Sequence, residues 1–151
     1  MLAFHKTTEE EKDMICGWKY DGDYAVYNIP PYEEQIRMHR GFANPKNNFY
    51  SFSDGDCLVG YINLKEEETA VFFGIGVHPA FCNQGYGQLI TEKARELSHQ
   101  LYPGKPICLE VRTWNMRAVR CYEKAGFHIA GDPIRRTTPV GEGLFFRMTA
   151  E

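Results

Sequence analysis

The sequence predicts a mixed α/β fold, on three observations. Short apolar runs typical of strands alternate along the chain with longer stretches in which apolar residues recur at helical spacing. Asp54-Gly55 separates two of the strand-like runs, which predicts a tight hairpin, and a helical pattern begins directly after Gly85. The elements follow in the order β-α-α-β-β-β-α-β-α-β-β. Because no repeat or low-complexity linker divides the 151 residues, we expect one domain over positions 1–151.

Caps and turn residues mark the elements of the first half. Thr8 and Glu11 have the spacing of a capping box, so a first helix is expected to begin there and to end at about position 18. Pro30-Pro31 opens a second helix that runs to about Arg40. The predicted strands of this half are 2–6, 49–53, 57–64 and 70–77.

The second half contains two predicted helices and three predicted strands. Apolar residues at helical spacing predict a helix over 85–102, which Pro103-Gly104 stops. A second helix over 115–125 is closed by Gly126 as a C-terminal cap. The predicted strands are 107–111, 127–129 and 143–148, the last two joined by a connection rich in proline and glycine.

Composition and charge exclude several classes of protein. The net charge is −3 and no block of lysine and arginine occurs, so we expect no nucleic-acid partner. The chain has no signal-like start and no apolar run of membrane-spanning length, so we expect no membrane contact and a cytoplasmic location. Its five cysteines show neither CxxC nor metal-ligand spacing, which predicts reduced thiols and no metal.

The stretch FCNQGYG (81–87) joins a predicted strand to a predicted helix. Free N–H groups at a helix start, with glycines that let a ligand approach the backbone, make a site for an anion such as phosphate. A P-loop is excluded because Gln88 follows Gly87, and a dinucleotide fingerprint because Ile90 takes the place of its third glycine. A tight turn without a ligand stays open as the alternative.

Two sequence segments, taken in order, indicate a protein family more specifically than the glycines alone do. The segment GIGVHPAFCNQGYGQLI (74–90) is a strand followed by a pattern close to Q/R-x-x-G-x-G/A, and LEVRTWNMRAVRCYEKAGF (109–127) contains N-x-x-A-x-x-x-Y-x-x-x-G-F intact. They resemble motifs A and B of the GNAT family of acetyl-CoA-dependent N-acetyltransferases. The resemblance implies the GNAT fold: a twisted, mostly antiparallel sheet of about six or seven strands with about four helices. In that fold the parallel strands matching 70–77 and 107–111 splay apart around acetyl-CoA.

The resemblance also implies acetyl-CoA as cosubstrate, with no metal. Its pantetheine arm would pair with the backbone at the end of strand 70–77, where Gly74 and Gly76 indicate a bulge. Its pyrophosphate would lie on the N–H groups that follow Cys82, which stands where the family usually has Gln or Arg. As a thiol beside a helix N-terminus, Cys82 is expected to have a lowered pKa and is a hypothetical site of a mixed disulfide with CoA. The expected cofactor-binding residues are Ile75, Gly76, Val77, Cys82, Asn83, Gln84, Gly85, Tyr86, Gly87, Gln88 and Asn115.

Two residues are candidates for proton transfer. At the motif position of Tyr122 the family commonly has a tyrosine that donates to the CoA sulfur; the alternative is a core tyrosine on the helix face. Glu110 alternates with Leu109 and Val111 along its strand and is the candidate base. The alternative for Glu110 is a solvated glutamate or one paired with Arg112. For Asn115, a helix N-cap explains the residue as well as a cofactor contact does.

The acceptor is expected to be a primary amine, either of a small molecule or of a protein N-terminus. In the family the segment between the first two helices shapes its pocket, which here implies Trp18, Tyr20, Tyr24 and Tyr27, with closure of the core as the alternative. Two other functions stay open: a non-catalytic module that binds acyl-CoA, and an unrelated α/β nucleotide-binding protein. Homodimers are common in the family, and the sequence leaves the oligomeric state open.

Overall fold

The structure, a computed structural model, describes residues 2–151. Its α-helices are α1 (Glu9–Cys16), α2 (Tyr32–Met38), α3 (Tyr86–Leu101) and α4 (Met116–Lys124). Its strands are β1 (Leu2–Lys6), β2 (Phe49–Asp54), β3 (Cys57–Glu66), β4 (Val71–Val77), β5 (Ile107–Arg112), β6 (His128–Ile129), β7 (Ile134–Thr138) and β8 (Gly141–Ala150). Short 3-10 helices span Gly22–Tyr27, Gly41–Ala43 and Pro79–Phe81.

The strands form one sheet in the order β1-β2-β3-β4-β5-β8-β6, and β7 also pairs with β8. All pairs are antiparallel except β4 with β5, which is parallel. The predicted mixed α/β fold with a mostly antiparallel sheet is therefore confirmed, although the sheet has eight strands instead of six or seven. No helix among residues 2–151 combines the length and the apolar composition that crossing a bilayer requires.

Local signals produce the elements where the sequence predicts them. The Thr8 side chain accepts a hydrogen bond from the Glu11 N–H, and the Glu11 carboxylate accepts one from the Thr8 N–H, so the predicted capping box is present. Gly55 has a φ of 62° in the turn between β2 and β3, a conformation that glycine adopts without strain. Gly126, which follows the α4 C-cap Ala125, has a φ of 100°.

Alternation along the strands divides the sheet into two faces. One face packs under α3 and α4 in the main core, which includes Ile62, Leu64, Ile90, Ala94, Leu97, Leu109, Val111, Val119 and Met148. Tyr61 of β3 precedes the core residue Ile62 in sequence and so points to the opposite face of the sheet. There it packs against a second cluster, formed by residues of α1 and of the chain that follows α1. The members of this second cluster are Ile15, Cys16, Trp18 and Phe42.

Strand β7 is absent from the sequence prediction, which left this part of the chain as an irregular connection. Its residues, IRRTT, are mostly exposed and lack the alternation of apolar and polar residues that reveals a half-buried strand. The strand exists because Ile134 to Thr138 pair in continuous register with Phe145 to Gly141 of β8. Strand β7 therefore forms through its pairing with β8, and no local sequence pattern indicates that pairing.

Candidate active site

Strands β4 and β5 run parallel but pair only where they begin. Val71 is opposite Ile107 and Phe72 is opposite Cys108, and the pairing ends there although both strands continue. The strands therefore separate and leave a gap, called here the β4–β5 opening. The splay that the resemblance implied is confirmed.

The register of β4 against β3 decides which peptide groups face this opening. The His78 N–H donates to the carbonyl oxygen of Val59 on β3 at 2.8 Å. Alternate residues of an antiparallel strand direct their peptide groups to the same neighbour, so Gly76 also faces β3. Ile75 and Val77 direct their N–H and C=O groups toward the opening. The expected pairing of pantetheine with the backbone of Gly76 does not fit this register, and Ile75 and Val77 are left as candidate partners.

No bulge interrupts β4, since its register with β3 is continuous from Val77 to Val71. The predicted bulge is wrong, and the irregularity lies instead between β2 and β3, at Phe52 and Ser53. Gly76 is needed for a different reason: a Cβ there would collide with the ring of Tyr61, its register partner. Burial of the Tyr61 side chain raises its pKa to about 12.

Tyr20 closes one end of the free β4 edge. Its hydroxyl donates to the carbonyl oxygen of Val77 at 2.7 Å, and its backbone N–H is fixed by Asn28 Oδ1 at 2.7 Å. Burial raises the pKa of the Tyr20 hydroxyl, so it remains a hydrogen-bond donor. Tyr20 therefore lies at the opening, but its hydroxyl is engaged by the backbone.

The loop before α3 presents its backbone to solvent. Asn83 and Gly85 have φ angles of 64° and 86°, and Gly85 is the N-cap of α3. Apart from Gly85 and its two chain neighbours, no atom of the described residues lies within 4 Å of the position that a Gly85 Cβ would take. Among residues 2–151 no side chain caps the start of α3, so its first N–H groups are available to hold an anion. This is the geometry that the glycine spacing predicts.

Cys82 lies before this loop rather than at the helix start. Its Sγ is 3.8 Å from the carbonyl oxygen of Val77 and 3.6 Å from that of His78, and the thiol donates to them. Burial raises the pKa of Cys82. The expectation of a lowered pKa is therefore wrong, and the thiolate that a mixed disulfide with CoA requires is disfavoured.

The remaining side chains of the loop are engaged within the protein. A Cβ on Gly87 would lie 3.2 Å from Cys121 Sγ, so Gly87 also lets α3 and α4 pack closely. Backbone groups, rather than side chains, are thus left for a ligand. The side-chain hydrogen bonds run from Gln84 to the Ala80 carbonyl (3.1 Å), from Tyr86 to Asp54 (2.6 Å) and from Gln88 to Glu92 (3.2 Å).

Tyr122 of α4 lies where the two strands begin to separate. Its ring packs edge-on against Phe73, the first β4 residue beyond the paired ones, with centroids 6.5 Å apart. It also packs edge-on against Phe127 at 6.2 Å. Burial raises the pKa of the Tyr122 hydroxyl, which therefore carries its proton near neutral pH. Within residues 2–151 this hydroxyl forms no hydrogen bond, so it is available to a ligand.

Asn115 caps α4 and fixes an aromatic segment beside the opening. Its Oδ1 accepts from the Ala118 N–H at 3.3 Å, and its Nδ2 donates to the Tyr27 hydroxyl at 2.9 Å. Asn115 is buried, and Tyr27 ends the 3-10 helix Gly22–Tyr27. The Asn115 side-chain amide thus joins the 3-10 helix to α4. Asn115 can contact a cofactor only while it keeps its hydrogen bonds to Ala118 and Tyr27.

Tyr24, Tyr27 and Trp114 form an aromatic cluster, with ring centroids 5.5 to 6.4 Å apart. The guanidinium carbon of Arg117 lies 4.3 Å from the centroid of the Tyr24 ring, and Arg117 Nη1 donates to Asn83 Oδ1 at 3.3 Å. The cluster is thereby connected to the loop before α3. Trp114 is exposed and carries no periodic signal, which is why the sequence prediction missed it.

Trp18 does not join this cluster. It is buried against Tyr61 and His78, with ring centroids 5.9 and 5.0 Å away. Of the four residues expected to bind the acceptor, the structure therefore brings Tyr24 and Tyr27 together, puts Tyr20 on the β4 edge, and buries Trp18 in the second core cluster.

Glu110 points away from the main core, since its neighbours Leu109 and Val111 pack into it. Its carboxylate accepts two hydrogen bonds from Arg136, from Nε at 3.1 Å and Nη2 at 2.8 Å. Arg147, its register partner on β8, approaches to 3.6 Å. Its partners are these two arginines and not Arg112. No sequence pattern predicts this pairing, because Arg136 lies on the strand that the prediction missed.

The part of the chain that the structure describes contains no cluster of side chains that could bind a metal ion. Among residues 2–151, His, Cys, Asp and Glu side chains nowhere gather in groups of three or more that could hold an ion. The polar groups at the opening are instead peptide groups, a tyrosine hydroxyl and an ion pair.

Comparison with known families identifies a match over most of the chain. The model of the acetyltransferase (GNAT) family matches residues 11–127. A curated relative, N-alpha-acetyltransferase RimI of Mycobacterium tuberculosis, is 30% identical over 99 residues, which are 62% of this chain and 60% of the relative. The alignment thus spans less than two thirds of that relative.

Several solved structures share the fold over nearly the whole chain. A chimera of the spermidine N-acetyltransferase SpeG from Vibrio cholerae and hSSAT has a TM-score of 0.78 at 20% identity, covering 99% of this chain and 94% of its own. SpeG from Vibrio cholerae in complex with CoA and spermine has a TM-score of 0.75 at 19% identity, covering 98% and 94%. The ribosomal-protein-S18-alanine N-acetyltransferase from Escherichia coli has a TM-score of 0.71 at 18% identity, covering 99% and 93%. At these identities the likeness establishes a common fold.

Proposed function

The chain belongs to the acetyltransferase (GNAT) family, and we propose that it is an acetyl-CoA-dependent N-acetyltransferase that transfers an acetyl group to a primary amine by direct attack. The observation that carries this proposal is the β4–β5 opening, bordered by free β4 peptide groups, the N–H groups at the start of α3 and the Tyr122 hydroxyl. The names of the relatives, N-alpha-acetyltransferase and spermidine N-acetyltransferase, support it.

Acetyl-CoA fits the groups that the protein offers. The N–H and C=O groups of Ile75 and the N–H group of Val77 suit the amides of the pantetheine arm, which would extend the sheet at this edge. The Val77 carbonyl oxygen already accepts hydrogen bonds from Tyr20 and Cys82. The N–H groups from Asn83 to Gln88 suit the pyrophosphate. The thioester supplies an activated acetyl group, and the Ile75 N–H is the donor proposed to stabilise the oxyanion of the transition state.

Two proton transfers accompany the proposed reaction. An amine that is protonated near pH 7 must lose a proton before its nitrogen can attack. We assign this proton to Glu110, reached directly or through a water molecule. The bond between nitrogen and the acetyl carbon forms, the carbon–sulfur bond breaks, and Tyr122 donates a proton to the departing sulfur.

The alternative function is a module that binds acyl-CoA without turnover. Release of CoA, measured with a panel of primary amines and with N-terminal peptides, separates it from an enzyme. We expect release with at least one amine, together with acetyl-CoA binding detected by calorimetry. Binding of acetyl-CoA without CoA release from any amine would support the module. Tight binding of ATP without binding of CoA would support an unrelated nucleotide-binding protein.

Location and partners belong to the proposal as well. All five cysteines are free thiols, which supports a reducing compartment, and we propose a cytoplasmic location. The amine acceptor is the proposed partner, with neither nucleic acid nor membrane, and with homodimerisation as an option to be tested by light scattering. One domain over residues 1–151 with no bound metal completes the proposal.

A further inference from the structure

The sheet face around Glu110 carries more positive than negative charge. Arg136 and Arg147 both lie within ion-pair distance of the Glu110 carboxylate, at 2.8 and 3.6 Å. Arg112, two residues further along β5, points to the same face. Glu142, on the same hairpin, is occupied by Arg135 at 3.1 Å. Three arginines thus lie on this face with one carboxylate, and that carboxylate pairs with only two of them, Arg136 and Arg147.

Arg112 is the least satisfied of the three. It is only 8% exposed, yet no carboxylate within residues 2–151 lies at ion-pair distance from it. Its contacts are a hydrogen bond from Nη2 to Thr138 Oγ1 at 3.3 Å and the ring of Phe145, whose centroid is 4.8 Å from the guanidinium carbon. Burial of a charge without a counter-ion is costly, so this environment favours an anion beside Arg112.

The backbone leaves room for this guanidinium. A Cβ on Gly143 of β8 would lie 2.5 Å from Nη1 of Arg112 and so would collide with it. Gly143 is also the register partner of Arg136 on β7. Arg112 and Arg136 therefore both border the same glycine of the β7–β8 hairpin, and the Arg136 side chain is about half exposed, at 48%.

The Arg136–Glu110 pair restricts the proposed reaction. Both Glu110 carboxylate oxygens accept hydrogen bonds from the Arg136 guanidinium, so an ammonium group can take that position only if the guanidinium moves away. For Glu110 to receive an ammonium group, Arg136 needs another anion. An acceptor that brings both charges satisfies both residues: its ammonium group replaces Arg136 at Glu110, and its anion replaces Glu110 at Arg136.

We propose that the amine acceptor carries a negatively charged group, a carboxylate or a phosphate, which binds between Arg136 and Arg112 while its amine binds Glu110. This inference rests on the proposed acetyltransferase function and adds the substrate class. Acceptors with a second positive charge, such as polyamines, are disfavoured because the same two guanidinium groups repel them.

Three amines of equal carbon number test the charge preference of the free protein. They are γ-aminobutyrate, n-butylamine and 1,4-diaminobutane, whose far ends are anionic, neutral and cationic. We expect kcat/KM for CoA release to be at least about tenfold higher with γ-aminobutyrate than with n-butylamine, and lowest with 1,4-diaminobutane. Ten- to hundredfold is the range for a charged hydrogen bond. O-phosphoethanolamine against ethanolamine extends the test to phosphate.

The variant Arg136→Gln should remove this preference. We expect the ratio of kcat/KM for γ-aminobutyrate to that for n-butylamine to fall to about one, mainly because KM for γ-aminobutyrate increases. The matched control is Arg135→Gln, the neighbouring arginine on β7, which pairs with Glu142 and not with Glu110. It should leave the ratio unchanged. Arg136→Glu should reverse the order in favour of 1,4-diaminobutane.

Peptides decide whether the anion belongs to a small molecule or to a protein N-terminus. The amides of Ala-Glu, Ala-Gln and Ala-Lys carry the three charges on a peptide, and a preference for Ala-Glu among them with no turnover of γ-aminobutyrate identifies a peptide acceptor. A wild-type preference for neutral or cationic amines, or equal effects of Arg136→Gln and Arg135→Gln, would overturn the inference and leave the proposed function standing. No CoA release from any of these amines, with acetyl-CoA bound, would overturn both.

Discussion

The two sides of the β4–β5 opening offer different chemical groups, backbone groups on one side and charged side chains on the other. The α3 side consists of backbone: free N–H groups at a helix start, a left-handed glycine and the β4 edge. The β5 side consists of side chains: Glu110, Arg112 and Arg136, brought together by a hairpin. We expect a site made of backbone groups to tolerate Cys82 where the family usually has Gln or Arg, because side chains would contribute little to binding there. A side-chain-made site changes its preference with single charges.

Tyr122 stands between the two sides, and its removal should have the largest effect. Tyr122→Phe keeps the ring that packs on Phe73 and removes the hydroxyl, so we expect kcat to fall by about 100-fold, the scale of a lost general acid. Affinity for acetyl-CoA and the unfolding midpoint should change little. Steady-state CoA release and calorimetry check both.

The matched control for this change is Tyr50→Phe, a tyrosine on β2 whose ring contacts Phe4. That variant should retain the kcat of the wild type. A kcat within threefold of wild type for Tyr122→Phe would show that the tyrosine is a core residue and not the acid.

Gly85→Ala tests the backbone side. An alanine at a φ of 86° is strained, and relief of that strain would move the backbone that presents the N–H groups of α3, so we expect acetyl-CoA binding to weaken by about tenfold. Gly55→Ala is the control, because its φ is 62° and its surroundings are equally open. Both variants should lose about 1 kcal/mol of unfolding free energy, but only the first should lose affinity. Equal affinities measured by calorimetry would contradict a phosphate site at this loop.

Asn115→Ala separates the two roles considered for this residue. It removes the α4 cap and the bond to Tyr27, so we expect a loss of about 1 kcal/mol in the free energy of unfolding. Asn115→Asp keeps an oxygen for the Ala118 N–H and should lose less. Urea denaturation measures both, and the acetyl-CoA KM of Asn115→Asp tests the contact with the cofactor. Wild-type stability of the alanine variant would exclude the cap.

Of the residues considered, Cys82 should contribute least to acetyl-CoA binding, because the expected contacts of the loop before α3 are made by its backbone. The raised pKa and partial burial of Cys82 predict that iodoacetamide at pH 7.5 labels it more slowly than the exposed Cys57. The labelling rate should increase with pH as the thiolate forms. Mass spectrometry of Cys57→Ser and Cys82→Ser variants assigns the labels. Faster labelling of Cys82 than of Cys57 would restore the hypothesis of a reactive thiol.

Local signals predicted the elements that carry them. The capping box of α1, the Asp54-Gly55 turn and the glycine after α4 each act over a few residues, so they are visible in the sequence. Strand β7 has no such signal, and pairing with β8 forms it. The register of β4 against β3 is also a nonlocal property. The sequence therefore predicted that the Gly76 peptide groups would face the opening, whereas those of Ile75 and Val77 do.

The strand–loop–helix units that bear the two motifs could be predicted from local spacing alone, because that spacing places the glycines, the caps and the apolar faces. The sequence also determined the family, since those motifs occur in the required order. The β4 peptide groups that face the β4–β5 opening, and the arginines that pair with Glu110, became apparent only once the strands were assembled into the sheet. The physical reason is that sheet register and ion pairs join residues far apart in sequence, as Glu110 and Arg136 are, and no local spacing encodes that distance.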